Sequence, residues 1–495
     1  MTFDADAAYQ VFKARDARFD GRLFVGVTST GIYCRPVCRV RIPRRENCRF
    51  FDTPAQAEAE AFRPCMKCRP ELAPGPGLAW SVMDASRTLA RQAAQWLDDH
   101  AGEDETPTIA ALAERLGVSD RHLRRIFAAE HGVTPLQYVQ TRRLLLAKHL
   151  LTDTRLPVSQ VAHAAGFRSL RRFNAAFAES YRMNPTRLRG QAEHSERNHG
   201  GAADEAVGVV LGYRPPYDTA AMLRFLSLRA IPGIEAVDGL RIRRSVRAGA
   251  VAEAPGWLEL SFVPDVPTRS SRVALRFAPS LAPHSARVVA AVRRWLDLDA
   301  SPESIDGALA DLPGAPGLRL PGSVDAFEMV VRAVLGQQVT VAAARTIAGR
   351  LVDRFGEPMA TPWPEVSRTF PAPEALATLP VERIAELGII RSRAGAILAL
   401  AQAWPALSAH LAETRRPEPL VEALCALPGI GPWTAHYIAM RALGWPDAFP
   451  PKDIAVLNAM KPLFGTLTPR EAEVHAERWR PWRAYAVLRL WNTLT

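Results

Sequence analysis

Between residues 108 and 139, TIAALAERLGVSDRHLRRIFAAEHGVTPLQYV, apolar residues return every three or four positions, lapse at LGVSD, and return again. That spacing predicts a helix, a glycine turn, and a second helix that Ser119 can cap. The second helix would turn Leu123, Ile126 and Phe127 inward and expose Arg121, His122, Arg124 and Arg125. Residues 156–180, LPVSQVAHAAGFRSLRRFNAAFAES, repeat the scheme, with Arg168, Ser169, Arg171, Arg172 and Asn174 on the outer face. A charged helix face is usually only solvated; two consecutive copies, each opening its second helix with arginine, favour paired helix-turn-helix units on DNA.

The pattern changes on either side. Residues 1–76 hold five of the six cysteines and end in the breaker string APGPG (73–77). Residues 80–190 are the arginine-rich helical stretch, and 191–208, polar, small and without an apolar period, read as a linker. Within 209–295, LRIRRSVRAG and WLELSFVPD alternate as strands do. From 296 to 495 apolar residues resume helical spacing, punctuated by glycine and proline, predicting an α+β unit followed by an all-helical one.

A length of 495 residues suits three or four domains. The net charge of +11 favours a polyanionic partner, since basic surface displaces counterions from phosphates; surface solubility is the alternative. The start shows no signal-peptide pattern and no apolar run is long enough to span a bilayer, so a soluble cytoplasmic protein with no membrane partner is expected.

Cys34 and Cys38 are separated by three residues, and Cys65 and Cys68 by two. Each pair can present two thiolates to one tetrahedral ion, and soft sulfur favours Zn2+; disulfides are the weaker reading in a cytosolic chain. A closed four-thiolate site is normally structural. Four thiolates on one divalent ion nevertheless keep sulfur electron-rich, and Arg35, Arg39, Arg41, Arg44 and Arg45 beside them suit a phosphate. Cys48 has no evident partner and reads as an ordinary small side chain.

The stretch DGRLFVGVTSTGIYCRPVCRVRIPRREN, with FRPCMKCRP, resembles the zinc domain of the Ada methylation-response family over residues 3–72. The resemblance implies that Cys34 takes a methyl group irreversibly from a DNA phosphotriester, and that Cys38, Cys65 and Cys68 complete the zinc site. Methylation turns a thiolate into a neutral thioether, which should raise DNA affinity. Residues 83–190 resemble the AraC-type DNA-binding domain, implying recognition helices in successive major grooves and RNA polymerase as a partner. The string PCHR, which marks the base-repair module common in Ada proteins, does not occur, so direct reversal of base damage is not expected.

In LPGIGPWTAHYIAMRALG (427–444), Gly429 and Gly431 form either a plain interhelical turn or a DNA-binding hairpin. In FPPKDIAVLNAM (449–460), Asp453 by itself reads as a helix cap. Together they resemble the signature of helix-hairpin-helix DNA glycosylases. With YRPPYDTAAMLRFLSLRA (213–230), PGLRLPGSVDAFEMVVRAVLGQQVTVAAA (316–344) and ERWRPWRAYAVLRLW (477–491), the likeness to the AlkA family of 3-methyladenine DNA glycosylases covers 209–495.

That resemblance implies Asp453 as the catalytic carboxylate and Phe225, Trp433, Tyr437 and Trp491 as walls of a flipped-base pocket. Periodicity alone would leave these aromatics in a core. Cationic alkylated purines stack on aromatic faces, and a carboxylate stabilises the oxocarbenium-like sugar left behind. No lysine stands at the position of a covalent nucleophile, although Lys452 is adjacent, so a monofunctional glycosylase is expected. Gln338, after Gln337, replaces the leucine wedge of the family. Carbonyls near Cys425, Leu427 and Ile430 are expected to hold a monovalent cation. The whole chain is expected to be multidomain and mainly α: a small zinc-bound α+β domain, two helix-turn-helix units, an α+β subdomain and an all-α helix-hairpin-helix glycosylase domain, acting on alkylated and promoter double-stranded DNA.

Overall fold

The computed structural model describes residues 4–75, 85–99, 108–153, 156–196, 206–262, 271–413 and 417–494. The tip of the APGPG string and half of the expected linker, 197–205, lie outside them.

The elements run α1 (Ala5–Ala14), β1 (Phe24–Val27), β2 (Ile32–Cys34), β3 (Cys48–Phe51), α2 (Pro54–Ala59) and β4 (Arg63–Pro64). Helices α3 (Ala85–Asp99), α4 (Ile109–Arg115), α5 (Asp120–His131), α6 (Pro135–Asp153), α7 (Val158–Ala164), α8 (Leu170–Tyr181) and α9 (Pro185–Glu196) follow. Next come β5 (Val207–Gly212), α10 (Thr219–Arg229), β6 (Glu235–Asp238), β7 (Arg241–Val246), β8 (Gly256–Phe262), β9 (Arg272–Phe277), α11 (Ser285–Trp295) and α12 (Pro302–Ala308). The remainder is helical: α13 (Ala326–Leu335), α14 (Val341–Phe355), α15 (Pro373–Ala377), α16 (Val381–Ala385), α17 (Arg391–Glu413), α18 (Pro417–Cys425), α19 (Pro432–Ile438), α20 (Ile454–Phe464), α21 (Pro469–Ala476) and α22 (Arg483–Asn492). Helix α19 continues into a π-helical turn, Ala439–Leu443. Two compact units result: Met1–Pro215 with Val263–Ala290, and Pro216–Phe262 with Ala291–Thr495.

The first unit opens on a sheet ordered β3-β1-β2-β4. Val25 pairs antiparallel with Cys34 across β1 and β2, while β2 and β4 run parallel with Tyr33 opposite Pro64. Parallel pairing carries the first cysteine pair and the second to the same end of the sheet. Gly26 is required there, because a Cβ would meet the Phe51 and Phe62 rings at 2.8 and 2.9 Å.

Both helix-turn-helix units form where the periodicity predicts them. Gly117 and Gly166 turn with φ of +69° and +77°, which glycine adopts without steric cost. The Ser119 side chain accepts from the His122 backbone N–H, and Ser169 accepts from that of Arg172. Leu112, Leu123, Phe127 and Tyr138 close one core; Val161, Phe173, Phe177 and Leu188 close another. Helix α6 contributes to both. Helix α9 extends through residues 191–196, into the segment expected to be a linker, because Gln, Ala and Glu there are good helix formers.

In the second unit β6, β7 and β8 form an antiparallel meander, with Ile242 opposite Val237 and Leu260. Phe327, Val331, Leu351, Ile397 and Leu424 belong to one helical core, and Val456, Met460, Trp479 and Tyr485 to a second. Among the described residues no helix is long and apolar enough to cross a membrane.

Candidate metal centre and active site

Cys34 ends β2, Cys38 lies one tight turn later, and Cys65 follows β4, its N–H donating to the Tyr33 carbonyl at 2.9 Å. With Cys68, the four sulfurs lie within 4.8 Å of one another. Tetrahedral zinc with sulfur at about 2.3 Å needs such spacing, so the donor set fits the ion. The proximity is felt chemically: hydrogen bonds from Cys34, Cys38 and Cys68 hold the Cys65 thiol far below its ordinary value. The sulfurs are not equivalent. Arg35 N–H points at Cys68 Sγ at 3.3 Å and the Cys68 backbone supports Cys65, whereas among the described residues no backbone N–H donates to Cys34 or Cys38. Cys68 is partly exposed and the other three are buried.

Arg35 does not stand at the surface as the local charge run suggests. It is buried, its Nε donating to Asp20 Oδ1 at 2.8 Å, its Nη2 to Asp20 Oδ2, and its Nη1 to the Cys68 carbonyl at 3.1 Å. Burial demands a counter-ion for a guanidinium, and Asp20, fifteen residues earlier, supplies it. Arg39 is exposed; half-buried Arg45 pairs with Asp6 at 2.8 Å over the Phe50 ring. Cys48 is buried outside the cluster, its thiol facing the Arg44 carbonyl at 3.4 Å.

On α5, Arg121, Arg124 and Arg125 are exposed and His122 half-buried, with Arg124 paired to Asp120 at 3.0 Å. On the second unit of the pair Arg168, Arg171, Arg172 and Asn174 are exposed. Ser169 is engaged as the α8 cap.

The other site assembles around the N-terminus of α20. Asp453 is 7% exposed and caps the helix, Oδ1 accepting from the Val456 N–H at 2.8 Å. Two indoles also reach it: Trp433 Nε1 donates to Oδ2 at 2.7 Å and Trp491 Nε1 to Oδ1 at 3.3 Å. Trp433 stacks on Tyr437 with centroids 5.3 Å apart and planes at 12°, and Tyr437 meets Trp491 at 6.1 Å. The cap and the carboxylate are one group: Asp453 ends the loop, and its three donors fix an anion beside three half-buried aromatic rings. Lys452, exposed and left-handed at φ +58°, makes the turn that delivers it.

Phe225, half-buried on α10, belongs to the same surroundings, but Arg229 and Arg441 lie over its ring at 3.8 and 4.6 Å. Neither arginine was a sequence candidate. Each follows an aromatic wall residue at i+4, Phe225 to Arg229 and Tyr437 to Arg441, and that spacing is the signal that could have found them.

At the hairpin, Gly429 has φ +81° and a Cβ there would meet Ala396 at 2.9 Å; Gly431 caps α19 with open space around it. Gln337 is half-buried, its Nε2 donating to the Gly429 carbonyl at 3.0 Å and to Thr434 Oγ1 at 3.1 Å. It ties α13 to the hairpin. Gln338, the next residue, is exposed at φ +52°.

Comparison with known families assigns the parts of the chain in which the two sites lie. Residues 7–71 match the metal binding domain of Ada, 112–191 a helix-turn-helix domain, 208–325 the AlkA N-terminal domain, and 331–484 the HhH-GPD superfamily of base excision DNA repair proteins. A probable bifunctional transcriptional activator/DNA repair enzyme AlkA of Mycobacterium tuberculosis is 38% identical over 501 residues, covering 100% of this chain and 97% of that protein. The chain belongs to the Ada-AlkA family. The DNA-3-methyladenine glycosylase 2 of Escherichia coli is 39% identical over 286 residues, covering 57% of this chain and 96% of its own. Among solved structures, a 3-methyladenine DNA glycosylase from Archaeoglobus fulgidus covers 57% of this chain at 21% identity, with a TM-score of 0.47. As an Ada-AlkA member the chain combines an Ada-type zinc site, a helix-turn-helix region and a helix-hairpin-helix glycosylase fold, and DNA is the partner these domains share.

Proposed function

We propose that the Ada-AlkA chain senses and repairs DNA alkylation, hydrolysing the N-glycosidic bond of alkylated bases such as 3-methyladenine without a covalent enzyme intermediate. The observation that carries this reading is the Asp453 carboxylate, held by Val456 N–H, Trp433 and Trp491 beside the Trp433–Tyr437 stack. A flipped, electron-poor base would lie against these rings, and as it leaves, Asp453 would stabilise positive charge on the sugar while water adds. Gln338 would fill the space left in the DNA stack, and Gly429 and Gly431 would present backbone to the phosphates, with carbonyls near Cys425, Leu427 and Ile430 holding a monovalent cation; the Leu427 carbonyl also accepts from Ile430 N–H at 3.3 Å. Chromatography of bases freed from methylated duplex DNA tests this: the full chain should release 3-methyladenine and Asp453→Ala should not. No release of any alkylated base by the unmodified chain would leave a regulator with an inert DNA-holding half.

For the zinc site, we propose that Cys34 is the methyl acceptor and that methylation switches on promoter binding through the exposed arginines of α5 and α8, with RNA polymerase as the downstream partner. Support comes from sulfur chemistry. N–H donors draw electron density from Cys65 and Cys68 and leave Cys34 and Cys38 richer. Zinc, held by Cys34, Cys38, Cys65 and Cys68, would keep all four deprotonated at neutral pH. Intact mass after incubation with DNA carrying methyl phosphotriesters should rise by one methyl group, and Cys34→Ser should remove that gain. A gain that persists in Cys34→Ser moves the acceptor to another cysteine, and none at all makes the zinc purely structural.

A further inference from the structure

Two arginines beside the aromatic recess outnumber the one carboxylate there, Asp453. Arg441, inside the π-helical turn, is buried; it donates to the Pro321 carbonyl, to that of Gly322 at 3.3 Å, and through Nη1 to the Tyr437 hydroxyl oxygen at 2.9 Å. Its guanidinium lies 4.6 Å from the Phe225 ring centre and 5.7 Å from that of Tyr437. Half-buried Arg229 covers Phe225 from 3.8 Å. Among the described residues neither has a carboxylate partner. The acids nearby are already taken: Arg332 binds Glu235 at 3.3 Å and Glu328 at 2.7 Å, and Arg244 binds the same two at 3.6 and 2.6 Å. Two acids and two arginines close that cluster neutral, so Arg229 and Arg441, set against the single Asp453 carboxylate, leave net positive charge next to the walls of the pocket.

A buried, unpaired guanidinium is unfavourable by itself and is kept where an electron-rich partner arrives. Its chemistry runs opposite to that of the aromatic walls. A cationic alkylated base departs neutral, so what a nearby positive charge gives back on departure it has already cost on binding, and relative to free substrate nothing is gained. A neutral damaged base departs with the glycosidic electron pair, and positive charge stabilises the negative charge that develops on it.

We propose, on the glycosylase reading above, that Arg441 acts through the Tyr437 hydroxyl as a specificity-determining positioning residue that stabilises negative charge on the departing base and so sets how well neutral bases are released relative to cationic ones. Because Tyr437 Oη accepts from Arg441, its one proton is left to donate to an acceptor on the base. As the C1′–N bond breaks, its electron pair passes to the base. Water bonds to C1′ and loses one proton to solvent; a neutral substrate's base takes up a proton in exchange, and a cationic one leaves without. The charge around the phenol agrees with this direction: burial pushes Tyr437 up, yet Arg441, Arg229 and Arg332 bring it below the usual tyrosine value. The groups facing it are Arg441 on its own helix, Arg229 from α10, Arg332 from α13 with its paired acids, and Asp453 reached through Trp433 and Trp491.

The test is single-turnover release by the full chain, at subsaturating enzyme so that the rate refers to free substrate, of hypoxanthine, neutral, and 7-methylguanine, cationic, from otherwise identical duplexes. The ratio of neutral to cationic release should fall at least tenfold in Tyr437→Phe and Arg441→Met and recover in part in Arg441→Lys. Neutral release by the unmodified chain should also fall as rising pH titrates Tyr437, and Tyr437→Phe should lack that fall. An unchanged ratio, or equal losses on both substrates, overturns the proposal. If Arg441→Met does not fold, Tyr437→Phe, which removes only the hydroxyl, decides alone. A chain that frees 7-methylguanine or 3-methyladenine but not hypoxanthine refutes this inference and keeps the glycosylase reading; one that frees none of the three refutes the glycosylase reading.

Discussion

Replacing Asp453 by asparagine separates charge from shape at the proposed centre. Asparagine caps a helix as well as aspartate does, so α20 keeps its start. The amide nitrogen must, however, face one of the donors now at Oδ1 or Oδ2, the Val456 N–H at 2.8 Å, Trp433 at 2.7 Å or Trp491 at 3.3 Å. Losing such a contact in a nearly buried site costs about 1–2 kcal/mol of stability. The kinetic loss should be larger. A full negative charge about 4 Å from the sugar cation, at an effective dielectric of about 20, contributes about 4 kcal/mol. That corresponds to a fall of about three orders of magnitude in the rate of base release. Single-turnover release of 3-methyladenine, beside a urea unfolding curve on the same protein, reads both numbers. A folded Asp453→Asn chain that loses less than tenfold in rate would refute the electrostatic role.

Three further outcomes follow from other parts of the molecule. Stripping zinc with a strong chelator, or introducing Cys38→Ser, should unfold residues 4–75, because four thiolates brought together without their ion repel; circular dichroism and proteolysis of the full chain would show that segment cleaved first. Ser119→Ala removes the acceptor for the His122 N–H and should cost about 1 kcal/mol, measured by denaturant unfolding, with a weaker effect if glycine is placed there. Burial pushes the Glu58 carboxyl, which faces the Tyr33 hydroxyl at 3.1 Å, up to about 8. Its folded value lies above the unfolded one, so its contribution is complete below about pH 4.5 and is lost as pH rises toward about 8. Melting curves across that window should slope downward for the unmodified chain and flatten in Glu58→Gln.

Elements set by local periodicity were legible in the residues. The two helix-turn-helix units, the Ser119 cap and the strands at 241–246 and 256–262 all lie where spacing alone puts them, whereas Ser169, expected on the outer face, caps α8. The cysteine cluster was legible for the same reason: two short loops suffice to offer four sulfurs. Long-range partners were not. A run of arginines around Cys34 looks like one continuous basic surface, and nothing near Arg35 reveals that Asp20 will draw it inside. Asp453 reads as a cap, which it is; the role proposed for it beyond that depends on Trp433 and Trp491, 20 and 38 residues distant, converging on one carboxylate. Gln337, which precedes the residue in the wedge position, spends its amide on the hairpin, and nothing local in the sequence reveals that.

Helix α6, nineteen residues long and shared by both helix-turn-helix cores, serves as a ruler. At about 1.5 Å per residue it spans about 28 Å, close to the pitch of one DNA turn, about 34 Å. Because each residue also rotates the chain by about 100°, inserting or deleting a single one would swing one reading helix out of phase with the other. On the proposed promoter binding, exposed side chains of the two helices can change which bases are read, but the distance between their half-sites cannot change in steps of one residue.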